Sequence, residues 1–226
     1  MPDVEQNLTA VRERIARAAD RSGRDATEIT LVAVSKKIPA AAVRAAWDAG
    51  QAVFAESRVQ EAAGKIAELP GALRWQFIGH LQTNKVRRAL PLFELFHGVD
   101  SLDLARAMDR IAAEVGLFPR VLLEVNVAGE ASKFGLSPDA LDRDLDALLA
   151  LPRLQIEGFM TIAPYADDPG ESRPHFRALR ELRDTIAART DLPFGTLSMG
   201  MSGDFEVAVE EGATIVRVGT AIFGGR

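Results

Sequence analysis

The 226 residues predict an α/β protein, a single (β/α)8 TIM-type barrel over residues 1–226 with an extra N-terminal helix. Three observations lead there. Short apolar runs rich in β-branched and aromatic residues alternate with longer amphipathic stretches along the chain, the pattern of βα units around a parallel sheet. Eight such runs are separated by seven helical stretches after one leading helix, which suits a closed barrel better than an open sheet. A doubly wound sheet, the alternative, would carry a glycine-rich turn after its first strand, and none follows here.

The leading helix sets Leu8, Val11, Ile15 and Ala18 on one face and closes near Ser22 and Gly23. Residues 29–35 follow, β-rich and apolar on both faces as a buried parallel strand requires. Further strand-like runs lie at 52–54, 74–78, 95–99, 121–126, 155–160, 195–198 and 214–218. Helical stretches occupy 40–49, 57–68, 82–90, 101–115, 138–150, 172–189 and 203–211. Ser101, Ser137 followed by Pro138, and Ser202 are good caps for three of them.

Composition removes several function classes. Lys and Arg total 27 against 32 Asp and Glu, a formal charge of −5, so nothing marks a nucleic acid or an anionic membrane as partner. The absence of cysteine excludes disulfides and thiolate metal sites, and the three histidines lack metal-ligand spacing. Mean hydropathy is +0.02. No stretch reaches the roughly 18 apolar residues of a spanning helix, and Met1 to Asn7 lack the order of a signal peptide, so a cytoplasmic protein is expected.

In such a barrel the chemistry belongs at the C-terminal ends of the strands. The residues there are Lys36, Glu56 with Ser57, Gly79 with His80, Asp100, Asn126, Met160 with Thr161, the run 198–202 and the run 217–220. The last two fit a phosphate site, because loops after strands seven and eight often bind phosphate. Ser202 supplies a hydroxyl, Gly219 a close backbone approach and Thr220 a second hydroxyl. Taken alone, Ser202 reads first as the cap of the helix after it, and Gly219 as a strand end.

Lys36 shares the alternating face of Val32 and Val34, an amine at the end of an apolar row. Burial there would raise the fraction of free amine able to attack a carbonyl; the competing reading is a strand-end lysine that snorkels to solvent, as its neighbour Lys37 does. Lysine and phosphate cradle in one barrel suggest pyridoxal phosphate or a phospho-sugar aldolase. Arg217 separates the two. It shares a face with Ile215 and precedes the phosphate loop, within reach of a cofactor's pyridine nitrogen, which an arginine keeps unprotonated. The competing reading of Arg217 is an ion pair with Glu210 or Glu211 at the barrel rim.

Across these residues the chain closely resembles the pyridoxal-phosphate homeostasis protein family, related to the N-terminal barrel of bacterial alanine racemase. The carrying segments are 31–36 (LVAVSK), 54–61 (FAESRVQE), 77–85 (FIGHLQTNK), 99–102 (VDSL), 125–126 (VN) with 130–135 (EASKFG), 158–163 (GFMTIA), 197–202 (LSMGMS) and 217–223 (RVGTAIF). The resemblance implies pyridoxal 5'-phosphate held as an aldimine on Lys36, phosphate contacts at Ser202, Gly219 and Thr220, and Arg217 beside the pyridine nitrogen. One departure stands out. The family's second-strand motif reads Phe-Gly-Glu-Asn where this chain has Phe54-Ala55-Glu56-Ser57. Ser57 is shorter, so a contact made there by an Asn would pass to water.

The expected function is therefore a cofactor-binding and homeostasis protein without strong catalytic activity, acting as a monomer and delivering the cofactor to apo-enzymes. Racemisation needs a second acid/base group beside the lysine. The sequence offers one tyrosine, Tyr165, and no second domain. A weak amino-acid racemase using Lys36 with water or His80, and a phospho-sugar lyase, are the competing functions. Lys133, in a polar loop over the barrel mouth, is a candidate second cofactor contact or transfer-route residue.

Overall fold

A computed structural model describes residues 3–130 and 133–225; Met1, Pro2, Ala131, Ser132 and Arg226 lie outside it, the middle pair within the loop that the sequence sets over the barrel mouth. Eight parallel strands close on themselves in chain order: β1 (Thr30–Val34), β2 (Val53–Glu56), β3 (Arg74–Phe77), β4 (Leu95–Val99), β5 (Arg120–Glu124), β6 (Gln155–Met160), β7 (Thr196–Ser198) and β8 (Ile215–Val218). The closing pair is β1 against β8, with Val32 beside Arg217 and Ala33 beside Val218.

Helices α1 (Val4–Arg21), α2 (Ala40–Asp48), α3 (Val59–Glu68), α4 (Val86–Ala89), α5 (Leu102–Val115), α6 (Pro138–Leu149), α7 (Arg173–Thr190), α8 (Phe205–Glu210) and α9 (Thr220–Phe223) accompany the sheet. The leading helix runs longer than its apolar face alone implied. The Asp3 carboxylate accepts the Gln6 N–H at one end, and the Ser22 hydroxyl donates to the Ala18 and Ala19 carbonyls at the other. Ser101 and Ser137 cap α5 and α6 through the N–H groups of Leu104 and Ala140, and Pro138 opens α6.

Other boundaries move for local reasons. The stretch 82–90 holds a 3-10 turn at Thr83–Lys85 and one α turn, because Pro91 has no N–H with which to extend the ladder. The helix expected from 203 begins only at Phe205, since the Asp204 carboxylate accepts the Met201 N–H and ties 201–204 into a turn. The extra turn α9 was not expected from sequence periodicity, being too short to show one. Among the described residues no helix is long and apolar enough to cross a membrane.

Strand alternation divides the core in two. Ala33, Phe54, Phe96, Leu123, Phe159, Leu197 and Val216 face outward into the layer shared with the helices. Val32, Val53, Ala55, Leu95, Leu122, Met160 and Ile215 form a separate cluster inside the barrel. One glycine sets how closely β6 and β7 approach. A Cβ at Gly158 would lie 1.9 Å from the Thr196 carbonyl oxygen, which is backbone and cannot yield. Gly158→Ala should therefore destabilise the protein by about 3 kcal/mol or more; a urea midpoint unchanged from the wild type would contradict this account of the β6–β7 contact.

Candidate cofactor site

Lys36, Ser202, Arg217, Gly219 and Thr220, five residues drawn from three different loops and strands, line one cavity of about 340 Å³ at the C-terminal end of the barrel. That volume is in the range of small-molecule sites. Val34, Ile38, Ile78, Ile162 and Phe223 supply its apolar wall.

Ser202 does not cap the helix that follows it, contrary to one of its two readings. Its oxygen accepts the N–H groups of Gly219 (3.2 Å) and Ala221 (3.3 Å), tying the loop after β7 to the one after β8. Its own proton remains to donate. The backbone N–H groups of Ser202, Gly203 and Thr220 meet no protein acceptor among the described residues. Gly200 makes the sharp approach to α8 possible: it has φ +92°, and a Cβ there would sit 2.6 Å from that of Ala208. Its carbonyl accepts the Arg217 N–H at 3.0 Å.

Lys36 corrects another expectation. It lines the cavity beside Val34, but it is exposed rather than buried.

Arg217 is buried and, among the described residues, makes no rim ion pair. Glu211 instead gathers Arg173, Arg177 and Arg180, each at 3.0 Å, while Glu210 pairs with Arg21 and Arg173. The Arg217 guanidinium turns into the barrel, donating to the Ser198 hydroxyl at 2.6 Å and the Thr161 carbonyl at 3.0 Å. Burial lowers it to about 10, with Glu124 and Asp204 acting the other way, so it stays charged at neutral pH.

Behind it runs a chain of hydrogen bonds with one consistent polarity. Gln76 donates its amide to Glu94 (3.0 Å), which leaves its oxygen for His97 Nε2 at 2.8 Å. His97 Nδ1 then accepts from Ser198 Oγ (2.8 Å), whose lone pair takes the arginine. Burial, and secondarily the charge of Arg217, push His97 well below the usual histidine range, which keeps it neutral and suited to that role. Sequence reading missed His97, Gln76 and Glu124 as part of the interior. The available signal was that each shares its strand face with an apolar residue two positions away, Leu95 for His97, Leu122 for Glu124 and Ile78 for Gln76.

Glu124 ends β5 in a smaller cavity of about 200 Å³ with Asn126, Lys133, Phe134 and Ile162. His80 and Lys133 are absent from the larger cavity. His80 hydrogen-bonds Asp100 at 2.6 Å and stacks on Phe134 at 4.1 Å, joining three loops, and Lys133 pairs with Glu130 at 2.9 Å. Ser57 lines neither cavity; its carbonyl oxygen packs where a Cβ on Gly79 would come within 2.5 Å.

A family model described as "Alanine racemase, N-terminal domain" matches residues 6–226, which defines the class as a racemase-type barrel. Within that class, the chain belongs to the pyridoxal phosphate homeostasis protein family. It is 43% identical over 222 residues to the pyridoxal phosphate homeostasis protein of Aquifex aeolicus, covering 98% of this chain and 97% of that protein. It is 44% identical over 228 residues to that of Pseudomonas aeruginosa, covering 100% and 97%. The structure of PipY from Synechococcus elongatus PCC7942 with PLP bound superposes with a TM-score of 0.87 at 40% identity, covering 98% of this chain and all of that one. Alanine racemase of Clostridium difficile 630 gives 0.72 at 16% identity over 57% of its own length, a likeness of fold alone.

Glu124 gives this site a pH signature. Burial, then the charge of Asp100, raise its carboxyl from 4.5 to about 7, against the opposing effect of Arg217 and His80. The folded protein thus holds a proton that the unfolded chain releases above 4.5, so this contribution is full below that pH and is lost as pH rises to about 7. The loss is roughly 3 kcal/mol. Glu124→Gln should flatten this decline, seen as a denaturation midpoint that gains on the wild type between about pH 4.5 and 7.5; parallel pH profiles would contradict the assignment.

Proposed function

We propose that this protein binds pyridoxal 5'-phosphate reversibly on Lys36 and serves intracellular cofactor homeostasis and delivery, without strong catalytic activity of its own. The observation that carries the reading is the convergence on one cavity of a lysine amine, a cradle of hydroxyl and backbone N–H donors, and a buried arginine. The chemistry of that donor set fits the cofactor: an amine for an aldehyde, donors for a phosphate, a cation facing an unprotonated ring nitrogen. When bound, pyridoxal phosphate supplies an aldehyde that condenses with primary amines and a ring that withdraws electrons.

This chain's residues would divide the work as follows. Lys36 holds the cofactor through its amine. Ser202 would donate its remaining proton to the phosphate, Thr220 would bring its backbone N–H and hydroxyl, and Gly219, whose own N–H is held by Ser202, would allow the close approach of the chain. Arg217, held by Ser198 and the Thr161 carbonyl, presents a fixed charge to the ring nitrogen and weakens the ring as an electron sink. The names of the relatives point the same way as this muted chemistry. The reading treats residues 1–226 as one barrel domain, monomeric and cytoplasmic, with apo forms of pyridoxal-phosphate enzymes as recipients.

The competing function is a weak amino-acid racemase, and one observation keeps it testable. Tyr165 lines the cavity, although it is 92% exposed with its hydroxyl 3.4 Å from Asp167. Turnover of L- to D-alanine that scales with cofactor occupancy and vanishes in both Lys36→Ala and Tyr165→Phe would establish the racemase.

The purified protein mixed with pyridoxal phosphate should be yellow, and borohydride should add the cofactor mass at Lys36 and nowhere in Lys36→Ala. A colourless protein that takes up no cofactor would overturn the proposal. Arg217→Glu should weaken binding more than Arg217→Ala, by about tenfold, because it adds a like charge near the phosphate; equal, wild-type affinities by absorbance titration would contradict the role given to Arg217.

A further inference from the structure

A group of buried charges beside the barrel mouth has no task in the binding scheme above. Lys65, on α3, donates to the Ser35 carbonyl at 2.6 Å, to Glu56 Oε1 at 2.6 Å and to Glu61 Oε1 at 2.8 Å, which uses all three of its protons. The Ser35 hydroxyl donates to the same Glu56 oxygen at 2.7 Å. Glu61 also accepts the backbone N–H of Lys37. The chain is therefore gripped at the carbonyl just before Lys36 and at the N–H just after it.

Lys37 shows why a grip is needed. Its φ of 61° lies in the left-handed region, where a residue with a Cβ stays only if its surroundings hold it there. The cluster is also poorly suited to stability alone. Buried ion pairs add little net stability, and Glu56 Oε2 is buried without a hydrogen-bond partner among the described residues, a cost that apolar side chains filling the same space would avoid. Burial raises the Glu56 carboxyl above its ordinary value, while hydrogen bonds from Lys65 and Lys37 outweigh burial at Glu61 and lower it.

We infer that Glu61 and Lys65 are positioning residues for Lys36: by holding the left-handed turn at Lys37 they fix the backbone from which the Lys36 amine reaches across the cavity. Fixing the backbone at the root of the side chain narrows the positions its amine can take, so less ordering is left to binding. The inference rests on the reading that Lys36 holds pyridoxal phosphate, and its test separates the two.

The measurement is the Kd for pyridoxal phosphate by absorbance titration, beside the Tm of cofactor-free protein. Glu61→Ala should weaken binding about tenfold, the scale of one released backbone strain. Glu61→Gln, whose oxygen still accepts from Lys37, should stay within about threefold. The decisive variant is Glu61→Ala with Lys37→Gly, because glycine takes the left-handed turn without a carboxylate to hold it, and binding should return to within about threefold of wild type. Lys37→Val, at an exposed position that leaves the cluster intact, should weaken binding as Glu61→Ala does. Wild-type affinity in Glu61→Ala and Lys37→Val, or a loss in Glu61→Ala that follows Tm and is not recovered by Lys37→Gly, would overturn the inference while leaving the binding function in place. Failure of the wild type to bind would overturn the function itself.

Discussion

A guanidinium turned into the interior of a closed parallel barrel must find acceptors there, because an unpaired buried charge costs several kcal/mol. Arg217 is only 4% exposed, and much of the interior follows from satisfying it. Its two bonds to Ser198 and Thr161 come from β7 and the end of β6. Ser198 can accept from the arginine because it donates to His97, and His97 can accept because it is neutral and gives its proton to Gln76. The chain ends on Glu94, before β4, where a carboxylate takes the last proton. Changing any member would leave a neighbour without a partner inside the barrel, where such a loss is hard to repair with water.

The same burial acts with opposite sign on the two ionisable ends of this interior. It holds Arg217 down at about 10 and lifts Glu124 to about 7, and the attraction between the two groups partly offsets both shifts. At neutral pH the interior therefore carries a fixed positive charge and a carboxylate near its midpoint. A fixed cation next to a cofactor ring favours restraint over reactivity, which agrees with a protein that holds pyridoxal phosphate in the proposed role. The cavity above Arg217 is built from loops after β1, β6, β7 and β8, so its shape depends on strand register as much as on the side chains themselves.

Much of this was legible in the chain. The order of strands and helices, the barrel class, the caps at Ser101 and Ser137, and the five residues that share the cavity could all be read from local pattern and strand-end position. Hydrophobic periodicity reports which face of an element is buried, and strand ends report which loops meet at the mouth. What failed were statements about partners. Ser202 reads locally as the cap of its own helix and instead ties two loops together; the competing rim pairing of Arg217 is not made, and the side chain points inward; Lys36, expected to be buried, is exposed.

The sequence by itself determined the alternation that makes a barrel, the polar residues at its mouth, and, through resemblance, the family. Only the tertiary structure decided which side chains answer one another. Gln76, His97 and Ser198 belong to three strands, with Ser198 lying 101 positions beyond His97, and they meet because closing the sheet turns their alternate faces onto one axis. The left-handed turn at Lys37 and its grip by α3 arise in the same way, from a helix that follows β2 reaching back to the loop after β1, a contact that no local propensity encodes.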